Sequence, residues 1–280
     1  MNKFCIVIPI YKEDLDCIEK VSLTQLWKVI GDKHYHIYFV RPNIENFDMT
    51  KYYNLMPGWG DNVHEELFDE SYFKSTATYS QLCISYDFYN RFSNYEYMYI
   101  YQLDCILTCD RLEKFCNFGF DYIGSPILST DCAWPTINKI TKKYKPAVGN
   151  GGFSLRKIST FKDITNPNGE FIQHYNITSD KLKKIKFEDL YFCVYVKELY
   201  NINIAPFEYS LVFAWDMNVD IIYNDWKFHK IPMCIHAWDK NIRFWKDHLS
   251  YITKDIISYC EEKHKDFFSI YYDENNSSSR

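Results

Sequence analysis

Residues Phe4 to Ile10 read FCIVIPI, an apolar run broken only by Pro9 near its end. A strand with one wet face alternates apolar and polar residues. A strand that is apolar throughout must be covered on both faces, as in a parallel sheet with helices on either side. The next residues fit that arrangement. Glu13 to Ile30 places Leu15, Ile18, Leu26 and Val29 at near-helical spacing, with Gly31 as a stop, and His34 to Val40 is a second strand closed by Arg41-Pro42. Strand, helix, strand is a βαβ opening. It predicts an α/β fold with a mixed, mainly parallel central sheet flanked by helices. A chain of 280 residues can bury a core of this kind without metals or disulfides.

The rest of the chain supplies further elements. Asn43 to Ser75 reads as loop-rich, Thr76 to Phe92 as a helix, and Tyr97 to Leu103 as a buried strand ending at Asp104. Asp121 to Ile127 is a short strand, and Val148 to Arg156 is a glycine turn feeding another. A helix is predicted over Phe187 to Tyr200, short strands over Ile202 to Ala205 and Ile231 to Ile235, and a last helix over Asp247 to His264. The tail Glu274 to Arg280 has a disordered composition. With no internal repeat and no long linker, one domain is expected over 1–270, followed by a disordered 271–280.

Four segments carry chemistry. In MYIYQLDC, Met98 to Cys105, a hydrophobic strand delivers Gln102 and Asp104 at its carboxyl end, where ligands bind in open α/β sheets. In GNGGFSLR, Gly149 to Arg156, three glycines in four positions signal unusual dihedrals or a close approach. The pattern is neither a dinucleotide fingerprint nor a phosphate loop. Glu188 and Asp189 are adjacent carboxylates at a helix start, either dipole-favoured residues or a general base. His236 closes a strand, either as a structural histidine or as a ligand that with a carboxylate suits a Mn²⁺-like ion. Each segment alone has an ordinary structural explanation. If Asp104 and His236 share a cation, their ligating atoms should lie within about 4–5 Å.

In this order, preceded by Pro9-Ile10-Tyr11, the segments resemble the GT-A glycosyltransferases, nearest to a bacterial subgroup known only as a domain of unknown function. The resemblance runs from about Phe4 to Trp245, and the glycine turn followed by Glu188-Asp189 is its most specific part. It implies a single GT-A domain and a hexosyltransferase-like enzyme. Such an enzyme moves a sugar from a nucleotide-sugar donor, uridine-linked, to a saccharide or lipid-linked glycan acceptor in surface polysaccharide or glycan synthesis. It implies that Pro9, Ile10 and Tyr11 border the base and ribose, and that Gly151 and Gly152 admit the donor sugar and acceptor. Asp104 and His236 would hold Mn²⁺ or Mg²⁺. Asp189, or failing it Glu188, would act as base in an inverting displacement, with a retaining reaction left open. The family's D-x-D is Gln102-Leu103-Asp104 here. The first carboxylate is an amide, so the cation would be weakly bound. Lys74 or Arg156 could serve the leaving group instead. Trp59, Tyr72 and Phe73 could shape the acceptor side.

Two other functions compete. A sugar-nucleotide-forming nucleotidyltransferase opens with a glycine-rich basic loop after the first strand, and Pro9 to Asp14 contains no glycine. A non-catalytic carbohydrate-binding module would use the aromatic residues, 19% of the chain, but would not require Asp104, Asp189 and His236 to converge. The net charge of −5 gives no support to nucleic-acid binding. Ten cysteines, none in C-x-x-C and most in apolar runs, point to free thiols in a reducing compartment. No run reaches the roughly 18 apolar residues of a membrane span. The sequence thus reads as soluble and cytoplasmic.

Overall fold

The computed structural model describes residues 2–128, 147–225 and 227–249. Its centre is a six-stranded sheet of β1 (Asn2–Pro9), β2 (Ile37–Pro42), β3 (Val63–Phe68), β4 (Tyr95–Tyr101), β6 (Tyr122–Ile123) and β9 (Phe153–Lys157). The spatial order is β3-β2-β1-β4-β9-β6. The first four strands run parallel, and β9 is antiparallel to both of its neighbours. A three-stranded sheet, β10-β11-β5, joins β5 (Cys105–Leu107), β10 (Ala214–Trp215) and β11 (Cys234–His236). β7 (Ser125–Ile127) and β8 (Ala147–Gly149) form a third, small sheet.

The doubly covered first strand explains two core clusters. Phe4, Ile6 and Ile8 of β1 enter one, with Leu23, Leu26 and Ile30. Cys5 and Val7 enter the other, with Phe88, Phe161 and Phe192. A helix, α1 (Cys17–Ile30), links β1 to β2. It starts later than its apolar spacing suggests because Asp16 caps it, accepting from the Glu19 N–H while Glu19 reaches back to the Asp16 N–H. It stops at Gly31 as predicted, although Gly31 is right-handed (φ −62°) rather than left-handed. A Cβ there would lie 2.6 Å from the Trp27 carbonyl oxygen, so the position needs glycine for space.

Several elements differ from the sequence reading. The stretch expected to be loop holds β3, an edge strand whose VHEELF sequence is too charged and half-exposed to show a period. Trp59 is core, 1% exposed, with its indole N–H donating to the Gly31 carbonyl. It therefore shapes no acceptor surface, and Tyr72 packs on the core beside it in the chain fold. The helix expected over 76–92 is two, Thr76–Cys83 and Tyr86–Arg91, because Ser85 caps the second. Ile202 to Ala205 forms a single bridge, Ile204 to Tyr122, and no strand. The helix from Glu188 to Leu199 holds, with π-helical turns over Tyr191–Val196. The last helix runs Ile242–His248 among the described residues. The remainder of its predicted span and the tail lie outside them. No helix among the described residues is long and apolar enough to cross a membrane.

Candidate functional site

A cleft of about 550 Å³ opens at the carboxyl ends of β1 and β4. Pro9, Ile10 and Tyr11 line it from the first strand, and Gln102, Leu103 and Asp104 from the second. Phe73, Lys74 and Thr76 contribute from the segment after β3, and Asp239 and Lys240 from the segment after β11. Tyr11 is 59% exposed, an uncommon state for an aromatic ring unless a ligand covers it. Lys74 carries only an i,i+4 pair with Glu70 at 3.6 Å.

Asp104 and His236, 132 residues apart in number, meet beside this cleft. β5 and β11 are antiparallel, with Cys105 opposite His236, so the residue before β5 lies beside the last residue of β11. Asp104 Oδ1 is 3.2 Å from His236 Nε2, inside the expected range. The pair is out of line for a hydrogen bond. Both atoms are buried without a hydrogen-bond partner among the described residues. A carboxylate oxygen and an imidazole nitrogen that turn to one point and satisfy nothing else are the donor set of a Mn²⁺- or Mg²⁺-type site. Cys105 Sγ lies within the same 4.8 Å cluster. Burial pushes its thiol well above the usual range, and it donates to the Gly152 carbonyl at 3.5 Å, so it is a poor ligand for a hard cation. Burial opposes charge on both partners. Their mutual attraction outweighs it, lowering the Asp104 carboxyl and raising the His236 imidazole.

The glycine turn packs against this pair. A Cβ on Gly152 would overlap the His236 ring and lie 2.9 Å from Gln102 Oε1. A Cβ on Gly151 would overlap the Glu188 carboxylate. The space these glycines leave is filled by the protein's own side chains, which departs from the expectation that donor sugar and acceptor fill it. Gly152→Ala should leave the fold intact and displace His236. Turnover should fall by about 10²-fold, the usual cost of a misplacement near 1 Å. Parallel melting and rate measurements check this, and a proportionate loss of both would place the defect in folding.

The two adjacent carboxylates have separate surroundings. Glu188, 6% exposed, accepts from Arg156 at 2.9 Å and from the Ser80 hydroxyl at 2.9 Å. Arg156 is fully buried and also donates to Tyr89 and Ser154. It cannot reach a leaving group, so the expectation for Arg156 is corrected. Breaking one side of a buried pair leaves a charge without compensation. Glu188→Gln should therefore cost about 3 kcal/mol in urea unfolding. A midpoint equal to wild type would contradict the pairing.

Asp189 is half-buried. It accepts from the Asn150 N–H at 3.0 Å and from its neighbour Leu190 N–H at 2.8 Å. Burial and the Glu188 charge push its carboxyl up to about 6, against those two bonds. Asn150 adopts the left-handed region (φ 70°), which asparagine tolerates. Its amide reaches Asp216, and Asp216 in turn contacts His236. Asp216 was missed in the sequence. In AWDM it reads as a surface acid, and only the pairing of β10 with β11 brings it to His236.

The sequence profile of the DUF5672 family, described as a protein of unknown function, matches residues 62–236, more than half of the chain. The chain belongs to that family. The matched region takes in Gln102, Asp104, the glycine turn, Glu188, Asp189, Asp216 and His236, and leaves out Pro9 to Tyr11. No curated protein matches in sequence. Among solved structures, the chain is similar to the galactosyltransferase LgtC in complex with donor and acceptor sugar analogs, at 13% identity and TM-score 0.54. That match covers 82% of this chain and 86% of the other. It is also similar to apo mouse xyloside xylosyltransferase 1, at 12% identity and TM-score 0.54, covering 84% and 97%. At these identities the likeness is one of fold. The family member described here has the GT-A fold of glycosyltransferases, with a mixed, mainly parallel sheet flanked by helices.

Proposed function

We propose that the protein transfers a sugar from a nucleotide-sugar donor, uridine-linked, to a saccharide or glycoconjugate acceptor in glycan synthesis, with inversion at the anomeric carbon. The convergence of Asp104 and His236 on one point beside the cleft carries this reading. A carbohydrate-binding module has no use for two unsatisfied buried ligand atoms of opposite kind. The cleft volume suits a nucleoside diphosphate with its sugar. A bound Mn²⁺ or Mg²⁺ would supply the positive charge that stabilises a leaving diphosphate.

The chain's own groups do the rest. Pro9, Ile10 and the exposed Tyr11 ring cover the base and ribose, and Gln102 hydrogen-bonds the ribose or a water. Lys74, at the cleft wall, adds charge toward the phosphates. Asp104 and His236 hold the cation. Asp189 takes the acceptor proton. A carboxyl at about 6 is ionised at neutral pH and still basic enough for the task. Glu188, saturated by Arg156 and Ser80, fixes the start of the helix that carries Asp189. Gly151 and Gly152 hold the turn against the cation pair.

The test uses purified protein with a panel of uridine- and guanosine-linked sugars, scored for nucleoside diphosphate release with and without chelator. Cation-dependent release from a uridine-linked donor is expected. Product NMR should then show the opposite anomer to the donor. A retained anomer would remove Asp189 from the role of base and leave sugar transfer standing. No release from any donor would contradict the function itself.

A further inference from the structure

We infer that Asp216 is a positioning residue for His236. It accepts the Nδ1 proton and thereby leaves Nε2 with its lone pair facing Asp104. This rests on the reading of Asp104 and His236 as a cation site.

β10 and β11 run parallel with Trp215 opposite Ile235, so the next residues, Asp216 and His236, leave their strands side by side. Asp216 Oδ1 lies 3.0 Å from His236 Nδ1. Its other oxygen accepts from Asn150 Nδ2 at 2.7 Å. The same Nδ2 is 3.0 Å from His236 Nδ1, which raises the question of which partner the imidazole answers. The Asn150 amide is fixed by its own oxygen, which accepts the Gly152 N–H at 2.8 Å, so Nδ2 is a donor on the Asp216 side. If Nδ1 accepted from that amide, Asp216 Oδ1 would face a lone pair across 3.0 Å. If Nδ1–H donates to Asp216, the bond is charge-assisted and both carboxylate oxygens are satisfied. A charge-assisted bond is about twice as strong as a neutral one, which decides the tautomer. Nε2 is then the free nitrogen, and it is the atom found without a partner next to Asp104. Carboxylates that orient a ligating imidazole in this way typically change metal affinity about 10–100-fold when removed.

Titration of the purified protein with Mn²⁺ alone, read by the free-ion electron paramagnetic resonance signal, tests this without any turnover. Asp216→Ala should weaken Mn²⁺ binding by about 10–100-fold. Asp216→Asn offers one oxygen to two N–H donors and should lose less, with its fold secured by near-identical shape. Circular dichroism confirms that each variant is folded. A purely structural role for Asp216 would lower the melting temperature and leave Mn²⁺ affinity alone. If both variants bind Mn²⁺ within twofold of wild type while His236→Ala has lost it, the positioning role is overturned and the cation site stands. If Asp104→Ala and His236→Ala bind Mn²⁺ as wild type does, the cation site falls, and the role of Asp216 falls with it.

Discussion

Asp104→Ala is expected to lower sugar transfer by about 10³-fold, equivalent to ~4 kcal/mol of lost stabilisation of the leaving diphosphate. The substitution should leave the fold in place, since Asp104 Oδ1 has no hydrogen-bond partner to abandon and the residue is half-buried at a cleft rim. His236 keeps Asp216. Gln102→Ala should cost less, because an amide adds no charge at the cation. Steady-state rates with Mn²⁺ and with chelator give the comparison. Wild-type-like turnover of Asp104→Ala in chelator would exclude the cation role. Lys74 would then be the basic group left to serve the phosphates, Arg156 being sealed beneath Glu188.

Asp189→Asn is expected to lower turnover by about 10²–10⁴-fold, the range for removing a general base. In wild type, turnover should rise with pH through about 6 and then level off, as the carboxyl gives up its proton. Asp189→Asn should lack that limb. Stability is linked to the same proton. The Asp189 carboxyl sits at about 6 folded and near 3.8 when unperturbed, so the folded state binds the extra proton between those values. The stability this contributes is present in full below 3.8 and is lost as pH rises through 6. Asparagine is not a silent replacement. Both carboxylate oxygens accept backbone N–H groups, from Asn150 and Leu190, and the asparagine amide can serve only one. The variant should lose about 1–3 kcal/mol for the orphaned donor, offset in part at neutral pH because no buried charge remains. A folded variant with intact turnover and an unchanged pH limb would make Asp189 a clamp between helix and glycine turn.

The sheet and most of the site were legible in the sequence, for a physical reason. Strands buried on both faces, such as β1 and β4, cannot carry polar residues, so they stand out as runs. The residues that break each run, Tyr11 after β1 and Asp104 after β4, mark where the chain leaves the core for the cleft. β3 was illegible because an edge strand needs charge more than pattern. The glycine turn was legible as a close approach, but what approaches is the Glu188 carboxylate and the His236 ring, which only the packing of distant strands supplies. The opposed fates of Glu188 and Asp189 were hidden for the same cause. Two neighbouring acids look alike in sequence until Arg156, 32 residues earlier, is seen to claim one of them. Asp216 left no local signal at all, because its role depends on the register of β10 against β11.

The most direct measurement is a crystal structure of the protein soaked with Mn²⁺ and uridine diphosphate, with anomalous data to locate the ion. The expected result is one Mn²⁺ peak at about 2.0–2.3 Å from both Asp104 Oδ1 and His236 Nε2, with the diphosphate on its open side and the base against Pro9 to Tyr11. A nucleotide bound elsewhere, or an ion peak away from Asp104 and His236 with the cleft empty, would contradict the account.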